Sequence, residues 1–547
     1  MPGPISEPEI AHVEKAPADI VPQFNNKRLP GARVFNPWIV AVVVTIGTFM
    51  EVLDTSIANV ALPHIAGSLS ASLVEGSWVL TSYLVANAVV LPISGWLSSI
   101  LGRKNYFLLS VFFFTVFSAA CGFAPTLGML VLFRVAQGLA GGGLQPSVQA
   151  ILADSFSPQK RGMAMSLYTI AILVAPVLGP TAGGWITDNY SWRWIFYINI
   201  PIGILCVFLT RIILEDPPYM KEAKQRARKL SVDWAGLGLI SIGLASLEIV
   251  LDKGQELDWF GSPFIILFAT VAFITIAGTI YWELKRPNPI VNLRLFRERN
   301  FLFCCILILC FYASLYAATY LLPNFMQEML GYTATTSGMV FSPAGLCTMI
   351  EVPFVGYVLT RGYDPRKMIF FGLVVVASSF WWMSSLNLEI AERDIILPRI
   401  VQVLGAGIIT VPVSTIIFRF LPKTESSQAA GLYALMRNEG GSIGIALVST
   451  MLQRKAQLHQ QTLGEKITAS SSLMQQYIAR AGASHGNVAD HRYLAMANLY
   501  TAMQRQAMLL SYMDQFRMIC GIILCMLPLV LFLKRPAAQK HVELDVH

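Results

Sequence analysis

Apolar runs of about 20 residues, the length a helix needs to cross the hydrocarbon core of a bilayer, recur along this sequence from Trp38 to Leu533. In hydrocarbon each backbone N–H and C=O must find its partner within the protein, and a helix meets that demand inside a single segment. The chain is therefore read as an all-α polytopic membrane protein with the lipid bilayer as its solvent. Only 13% of its 547 residues are charged, against about 25% in ordinary soluble domains. The net charge of +8 comes from basic residues in the short links between runs. They form no basic, aromatic-interleaved face, so nucleic acid is excluded as a partner.

Hydropathy places spans near 38–62, 76–99, 105–125, 128–153, 162–187 and 194–214, then 233–252 and 262–283, then 300–326, 334–359, 367–386, 395–419, 428–451 and 516–534, fourteen in all. Arg103-Lys104, Lys160-Arg161, Arg361, Arg366-Lys367, Lys423 and Lys534-Arg535 fall in alternate loops on the side of the N-terminus. Lysine and arginine gather on the cytoplasmic side of a membrane, so both termini are expected there, as the even number of spans also requires.

The predicted organisation is a cytoplasmic tail (1–37), a six-helix half (38–214), a basic cytoplasmic linker (215–232), two inserted helices (233–283), a second basic link (284–299), a second six-helix half (300–535) and a cytoplasmic tail (536–547). The N-terminal tail lacks the apolar core of a cleavable signal peptide. Residues 453–515 form one long external segment whose mixed polar and apolar residues suggest helical extensions of the last two spans. It reads as a solvated connector, with docking of a partner as the sharper alternative.

An internal repeat supports two halves. Arg134-Val-Ala-Gln137 is echoed by Arg399-Ile-Val-Gln402, with Pro146 and Pro412 following at nearly equal distances, and Gly95 to Arg103-Lys104 is echoed by Gly356 to Arg366-Lys367. Parallel repeats place a substrate site at their interface near the midplane.

The ionisable residues stranded in apolar spans are the candidates for chemistry. Glu51 and Asp54 lie three residues apart in the first span, on one helical face. An ionised carboxylate there costs several kcal/mol unless it is paired, hydrated or protonated, which suits a group that takes up and releases protons. A structural salt bridge or a hydrated position is the plainer reading. Arg134 is the natural counter-charge, since guanidinium stays protonated and binds carboxylates bidentately; a fixed tie between helices is its bland alternative. Glu351 sits mid-span without a partner in sequence and ranks next. Glu248 lies nearer the external end, where hydration would explain it, and Arg437 and Glu439 complete the set. In the fifth span Pro176, Gly179, Pro180, Gly183 and Gly184 combine kinks with close helix approach, which fits a pivot for rocking or plain small-residue packing.

Other chemistries are poorly served. The eight cysteines lie in or beside apolar runs without metal-ligand spacing and read as small buried hydrophobes. Gly440-Gly-Ser-Ile-Gly444 has the nucleophile-elbow pattern but lies in a predicted membrane helix, where it reads as a packing stripe. A phosphate-binding loop is absent, so an ion gradient is the remaining energy source and no cofactor is expected. A membrane-embedded enzyme would need a constellation that the scattered histidines do not make.

The motifs together resemble the fourteen-helix drug:proton antiporters of the major facilitator superfamily, of the EmrB/QacA type and closest to the EmrB branch. Leu53-Asp54-Thr55 through Pro63 is similar to that family's first-helix motif, Arg134-x-x-Gln-Gly138 to its fourth-helix motif, and Gly179-Pro-x-x-Gly-Gly184 to its antiporter motif. Trp192-Arg-Trp-Ile-Phe-x-Ile-Asn-Ile-Pro-Ile-Gly203 and Leu251-Asp-Lys-Gly-Gln-Glu-Leu-Asp-Trp-Phe260 point to the EmrB branch. The resemblance implies a major facilitator fold and export of varied hydrophobic compounds in exchange for protons across a bacterial inner membrane, with a periplasmic adaptor (membrane fusion protein) and an outer-membrane channel as partners. The same scaffold would also suit a dedicated exporter of one metabolite, siderophore or fatty acid. The resemblance further implies a cytoplasmic gating loop at Gly95, Gly102, Arg103 and Lys104. Ser99 stands where the family has an acid; in the second half Asp364 and Arg366 offer a counterpart.

Overall fold

The computed structural model describes residues 36–157, 160–216, 233–287, 289–422, 425–465, 475–476 and 488–534, and every regular element among them is helical. The N-terminal tail to residue 35, most of the 215–232 linker, Lys423, the middle of the 453–515 segment, Arg535 and the C-terminal tail lie outside these residues.

The first half comprises α1 (Pro37–Ser68), α2 (Leu73–Leu101), α3 (Arg103–Phe123), α4 (Leu127–Gly141), α5 (Leu144–Ser155), α6 (Arg161–Asn189), α7 (Trp194–Tyr197) and α8 (Asn199–Ile213). The inserted pair is α9 (Trp234–Lys253) and α10 (Pro263–Lys285). The second half comprises α11 (Arg299–Asn324), α12 (Ala334–Thr360), α13 (Pro365–Met383), α14 (Glu392–Ile416), α15 (Ser426–Glu465) and α16 (Val488–Leu531).

Thirteen spans among the described residues are long and apolar enough to cross a membrane. The remaining one, α15, has 40 residues, ample length at about 1.5 Å of rise per residue. Its glycines, serines, Arg437 and Glu439 lower its hydropathy because it faces other helices, chiefly α11 and α2, rather than lipid. By contrast α10 packs mainly on α9 and turns Phe273, Ile274 and Leu267 outward, the exposure a lipid-facing helix requires.

Local sequence sets several helix ends. Ser72 and Glu75 form a capping box at the start of α2, with bonds of 3.2 and 2.8 Å, and Asp233 caps α9 by accepting from the Gly236 N–H at 3.0 Å. The expected continuous fourth span breaks at Gly142-Gly143, where α4 passes into α5. A β-carbon at Gly142 would lie 2.7 Å from the Asn87 carbonyl oxygen, so these glycines serve close packing on α2 and weaken the helix in doing so. The last two spans run beyond their expected ends, α15 to Glu465 and α16 back to Val488.

Glycine rows set how near neighbouring helices come. Gly138 of α4 meets the Tyr83 carbonyl of α2, at 2.5 Å from where its β-carbon would be. Gly440 and Gly444, the ends of the elbow-like pattern, press on the α11 backbone at Leu309 and Ala313. In this chain the pattern is a helix contact.

Candidate functional site: a buried carboxylate network

Asp54 and Arg134 meet in the first half with both side chains closed off from solvent. Arg134 Nη1 donates to Asp54 Oδ2 at 2.6 Å, while Asp54 Oδ1 accepts from Asn199 Nδ2 at 2.7 Å and from Gln137 Nε2 at 3.1 Å. The guanidinium also donates to the Gln137 Oε1 at 2.9 Å and the Val79 carbonyl at 3.1 Å, and lies 4.3 Å from the Tyr83 ring centroid. Helices α1, α2, α4 and α8 each contribute, so the charge pair is held by four elements at once. Arg134 Nη2, Asn199 Oδ1 and the Tyr83 hydroxyl have no hydrogen-bond partner among the described residues.

Glu51 is equally buried but turns to other helices. Its Oε1 accepts from Asn87 Nδ2 of α2 at 3.0 Å and Gln145 Nε2 of α5 at 3.1 Å, and its Oε2 has no partner. Glu51 and Asp54 therefore share a helix face yet sit in separate polar nests, and no bond joins Arg134 to Glu51. Glu351 stands apart from both. It lies on α12 against Gly407 of α14, and neither of its carboxyl oxygens has a hydrogen-bond partner.

The kinked helix α6 lies directly on α1 beside these acids. The Pro176 carbonyl accepts from Ser56 Oγ at 3.3 Å; Gly179 faces Ser56, and a β-carbon at Gly183 would lie 3.0 Å from Ile57. On its other side Pro180 packs near Gly338 of α12, and the Gly184 carbonyl accepts from Thr187 Oγ1 at 3.0 Å. The glycine–proline segment thus runs between the two halves, with little side chain to hold it.

At the basic-loop end the halves are in contact. Arg103 ion-pairs with Asp154 at the end of α5, and donates across the halves from Nε to Ser427 Oγ at 2.9 Å and from Nη2 to Ser426 Oγ at 3.1 Å. Gly102 has φ +87° and leaves room for Asp216, whose Oδ1 accepts from the Lys104 N–H at 2.8 Å. In the second half Asp364 caps α13 and holds Arg366 at 3.1 Å, while Arg366 Nη1 reaches the Leu533 carbonyl at 3.2 Å. A β-carbon at Gly95 would lie 2.6 Å from Gln428 Cα. Gly95→Val is therefore expected to part α2 from α15 at this end, seen as increased thiol labelling of cysteines introduced at the Ser427 and Ser98 positions; unchanged labelling would refute it.

Sequence reasoning missed the neutral partners. Asn199 appeared only inside a branch signature, and Asn87, Gln145 and Tyr83 were passed over, although an amide in an apolar run is itself a signal that a buried polar group needs a partner. It also missed the cage about Arg437, which donates to the Tyr168 hydroxyl across the halves and lies 5.7 Å from the Tyr312 ring centroid. Hydration, the plainer explanation for Glu248, does not apply: the side chain is fully buried and accepts from Ser442 of α15.

A model of the Major Facilitator Superfamily matches residues 44–446. The chain belongs to that superfamily. Multidrug export protein EmrB of Escherichia coli K12 is 36% identical over 514 residues, 93% of this chain and 97% of that protein. Fatty acid resistance protein FarB of Neisseria gonorrhoeae is 34% identical over 491 residues, 90% of this chain and 95% of that one. These relatives place the chain in the EmrB/QacA-type branch that its motifs resemble. The crystal structure of the human organic anion transporter MFSD10 covers 91% of this chain and 100% of its own with a TM-score of 0.58 at 13% identity, a likeness of fold.

In the loop after α2 the Ser99 hydroxyl turns back to the Trp96 carbonyl at 2.7 Å. The acids beside Arg103 and Lys104 come from elsewhere in the chain, Asp154 and Asp216.

Proposed function

We propose that this chain exports structurally varied hydrophobic compounds in exchange for protons, by alternating access of its two halves across a bacterial inner membrane, with both termini cytoplasmic. The observation that carries this reading is the buried Asp54–Arg134 pair: a carboxylate enclosed by four helices, with a cation that can release it, is the arrangement proton exchange needs. The 36% identity to a multidrug export protein supports the substrate class. The proton gradient is the energy source, and no cofactor takes part. Glu51 and Glu351 are further proton or substrate groups, the α6 segment from Pro176 to Gly184 is the pivot, and the Arg103 contacts are the cytoplasmic gate, closed in this conformation.

The extensions of α15 and α16 beyond the bundle support docking of a periplasmic adaptor that leads to an outer-membrane channel. Inverted vesicles with an imposed proton gradient test the whole reading. Uptake of several cationic and neutral hydrophobic compounds, abolished when the gradient is collapsed, is the expected result; uptake indifferent to the gradient would sink it.

A second reading, a dedicated exporter of a fatty acid or similar single compound, is favoured by one feature. Arg437, buried among tyrosines between the halves, would suit a carboxylate head group, and one relative is named for fatty acid resistance. Competition among compounds in the same vesicles separates the two readings.

A further inference from the structure

Helix α9 belongs to neither half, yet it joins both at the end of the bundle away from Arg103. Towards α2, Thr81 donates to Asp252 and Lys253 donates to Ser77. Towards α15, Ser442 Oγ donates to Glu248 Oε1 at 2.7 Å; from the turn after α9, Trp259 Nε1 donates to Thr450 Oγ1 at 3.0 Å and Gln255 Nε2 to Gln453 Oε1 at 2.6 Å. Where α2 and α15 touch directly, at Gly95 and Gly431, α9 is not involved. It fills the seam further along.

Inside that seam are two carboxyl groups that the Asp54 network does not use. Glu248 is 0% exposed and Glu439 is 4% exposed. Three of their four carboxyl oxygens, Glu248 Oε2 and both of Glu439, have no hydrogen-bond partner, and neither residue is in an ion pair among the described residues. Ser442 follows Glu439 by three residues, on the same helix face, and its hydroxyl ends on Glu248. The hydroxyl that reaches Glu248 therefore stands one helical turn from Glu439, which brings both buried acids to the α9–α15 seam. Two neighbouring carboxylates cannot both be ionised in an apolar pocket without a cation, since each bears a desolvation cost and their repulsion adds to it.

The sequence also supplies a way in. Glu248, Asp252 and Glu256 recur at four-residue spacing, which keeps them on one side of α9 and its following turn. Glu248 is sealed, whereas the side chains of Asp252 and Glu256 are 32% and 40% exposed. Lys253 pairs with the outer two, at 3.9 Å from Asp252 Oδ2 and 2.8 Å from Glu256 Oε2.

We propose that Glu248 and Glu439 form a second proton-binding site, holding a proton between their carboxyl groups and exchanging it with water at the Asp252–Glu256 end of α9. The step is protonation alone: a proton from water adds to one carboxylate oxygen and later leaves it, with no other bond changed. Towards water from Glu248 stand Asp252 and Lys253 on α9 and Glu256 in its turn, with Thr81 and Ser77 of α2 on Asp252 and Lys253; the Lys253 ammonium is taken up by Asp252 and Glu256 and pairs with neither Glu248 nor Glu439. On α15 Arg437 turns away to Tyr168, and on α10 Glu283 lies at the opposite end beside Gly236. Loss of the proton leaves two anions in the seam, and their repulsion drives α9 from α15, so the inserted pair acts as a proton-controlled strut between the halves.

The coupling role rests on the proton-driven reading above; proton binding does not. Infrared pH-difference spectra of the full chain in detergent read binding directly, and reversal potentials in vesicles read protons moved per substrate. A protonated-carboxyl C=O band should be lost in the Glu248→Gln/Glu439→Gln double variant and shifted in Ser442→Ala, which removes the donor to Glu248. Protons per substrate should fall by one in the double variant. An unchanged band in both variants overturns the site, and an unchanged stoichiometry with the band lost overturns its coupling role. If the double variant fails to accumulate, each single Gln variant and Ser442→Ala decide by the same band. Transport by the unmodified chain that ignores the gradient would refute the proton-driven reading while the infrared result still judges the site.

Discussion

Asp54→Asn should yield a protein that accumulates in the membrane and melts cooperatively but moves substrate no faster than empty vesicles when a proton gradient is imposed. Asparagine matches aspartate in volume and still offers an oxygen to Arg134 Nη1, so the packing of α1 on α4 and α8 survives. Arg134 also keeps the Val79 carbonyl, Gln137 and the face of Tyr83. What disappears is the one group in this nest that can gain and lose a proton. Gradient-driven uptake by the Asn variant at the unmodified rate would remove Asp54 from the mechanism and leave Glu51 as the carrier to test. Substrate binding should persist in the variant, which separates lost coupling from a lost site.

Arg134→Ala should be the most damaging single change to stability. Removing one partner of a buried ion pair costs about 3–5 kcal/mol, because the remaining charge is left without compensation, and here Asp54 would keep only the amides of Gln137 and Asn199. The loss should appear as a lower thermal midpoint in detergent and poor accumulation. Adding Asp54→Asn to an Arg134→Met background should recover most of it, since an uncharged pair of similar volume no longer buries an orphan charge. Equal losses in the single and double variants would show that packing of the long side chain, and not charge pairing, is what Arg134 supplies. Transport should be absent in all three.

These two outcomes depend on contacts of very unequal legibility. That Asp54 and Arg134 lie in apolar spans is plain from the sequence, and an arginine in such a place demands an acid. Nothing local says that Asn199, 145 positions after Asp54, closes the same nest, or that Glu51, one turn away on α1, looks to Gln145 instead. The basic loop after α2 shows the same limit. Ser99 signalled a missing acid, yet Asp154 and Asp216 supply it from segments whose own sequences carry no sign of that role.

The sequence by itself determined the helices, their number, the repeat of the halves and the family, because crossing a bilayer demands some 20 apolar residues in an unbroken local run and so leaves its mark within each segment. Small departures, such as the break at Gly142-Gly143, also come from residues visible in place. Only the tertiary structure decided which way each helix is turned and therefore which partner each buried charge takes. Hydropathy is an average around the helix and carries no rotation. Glu248 shows the consequence: near the end of α9 hydration would explain it, but the rotation of that helix buries it against α15, where Ser442, more than 190 positions further on, donates to it.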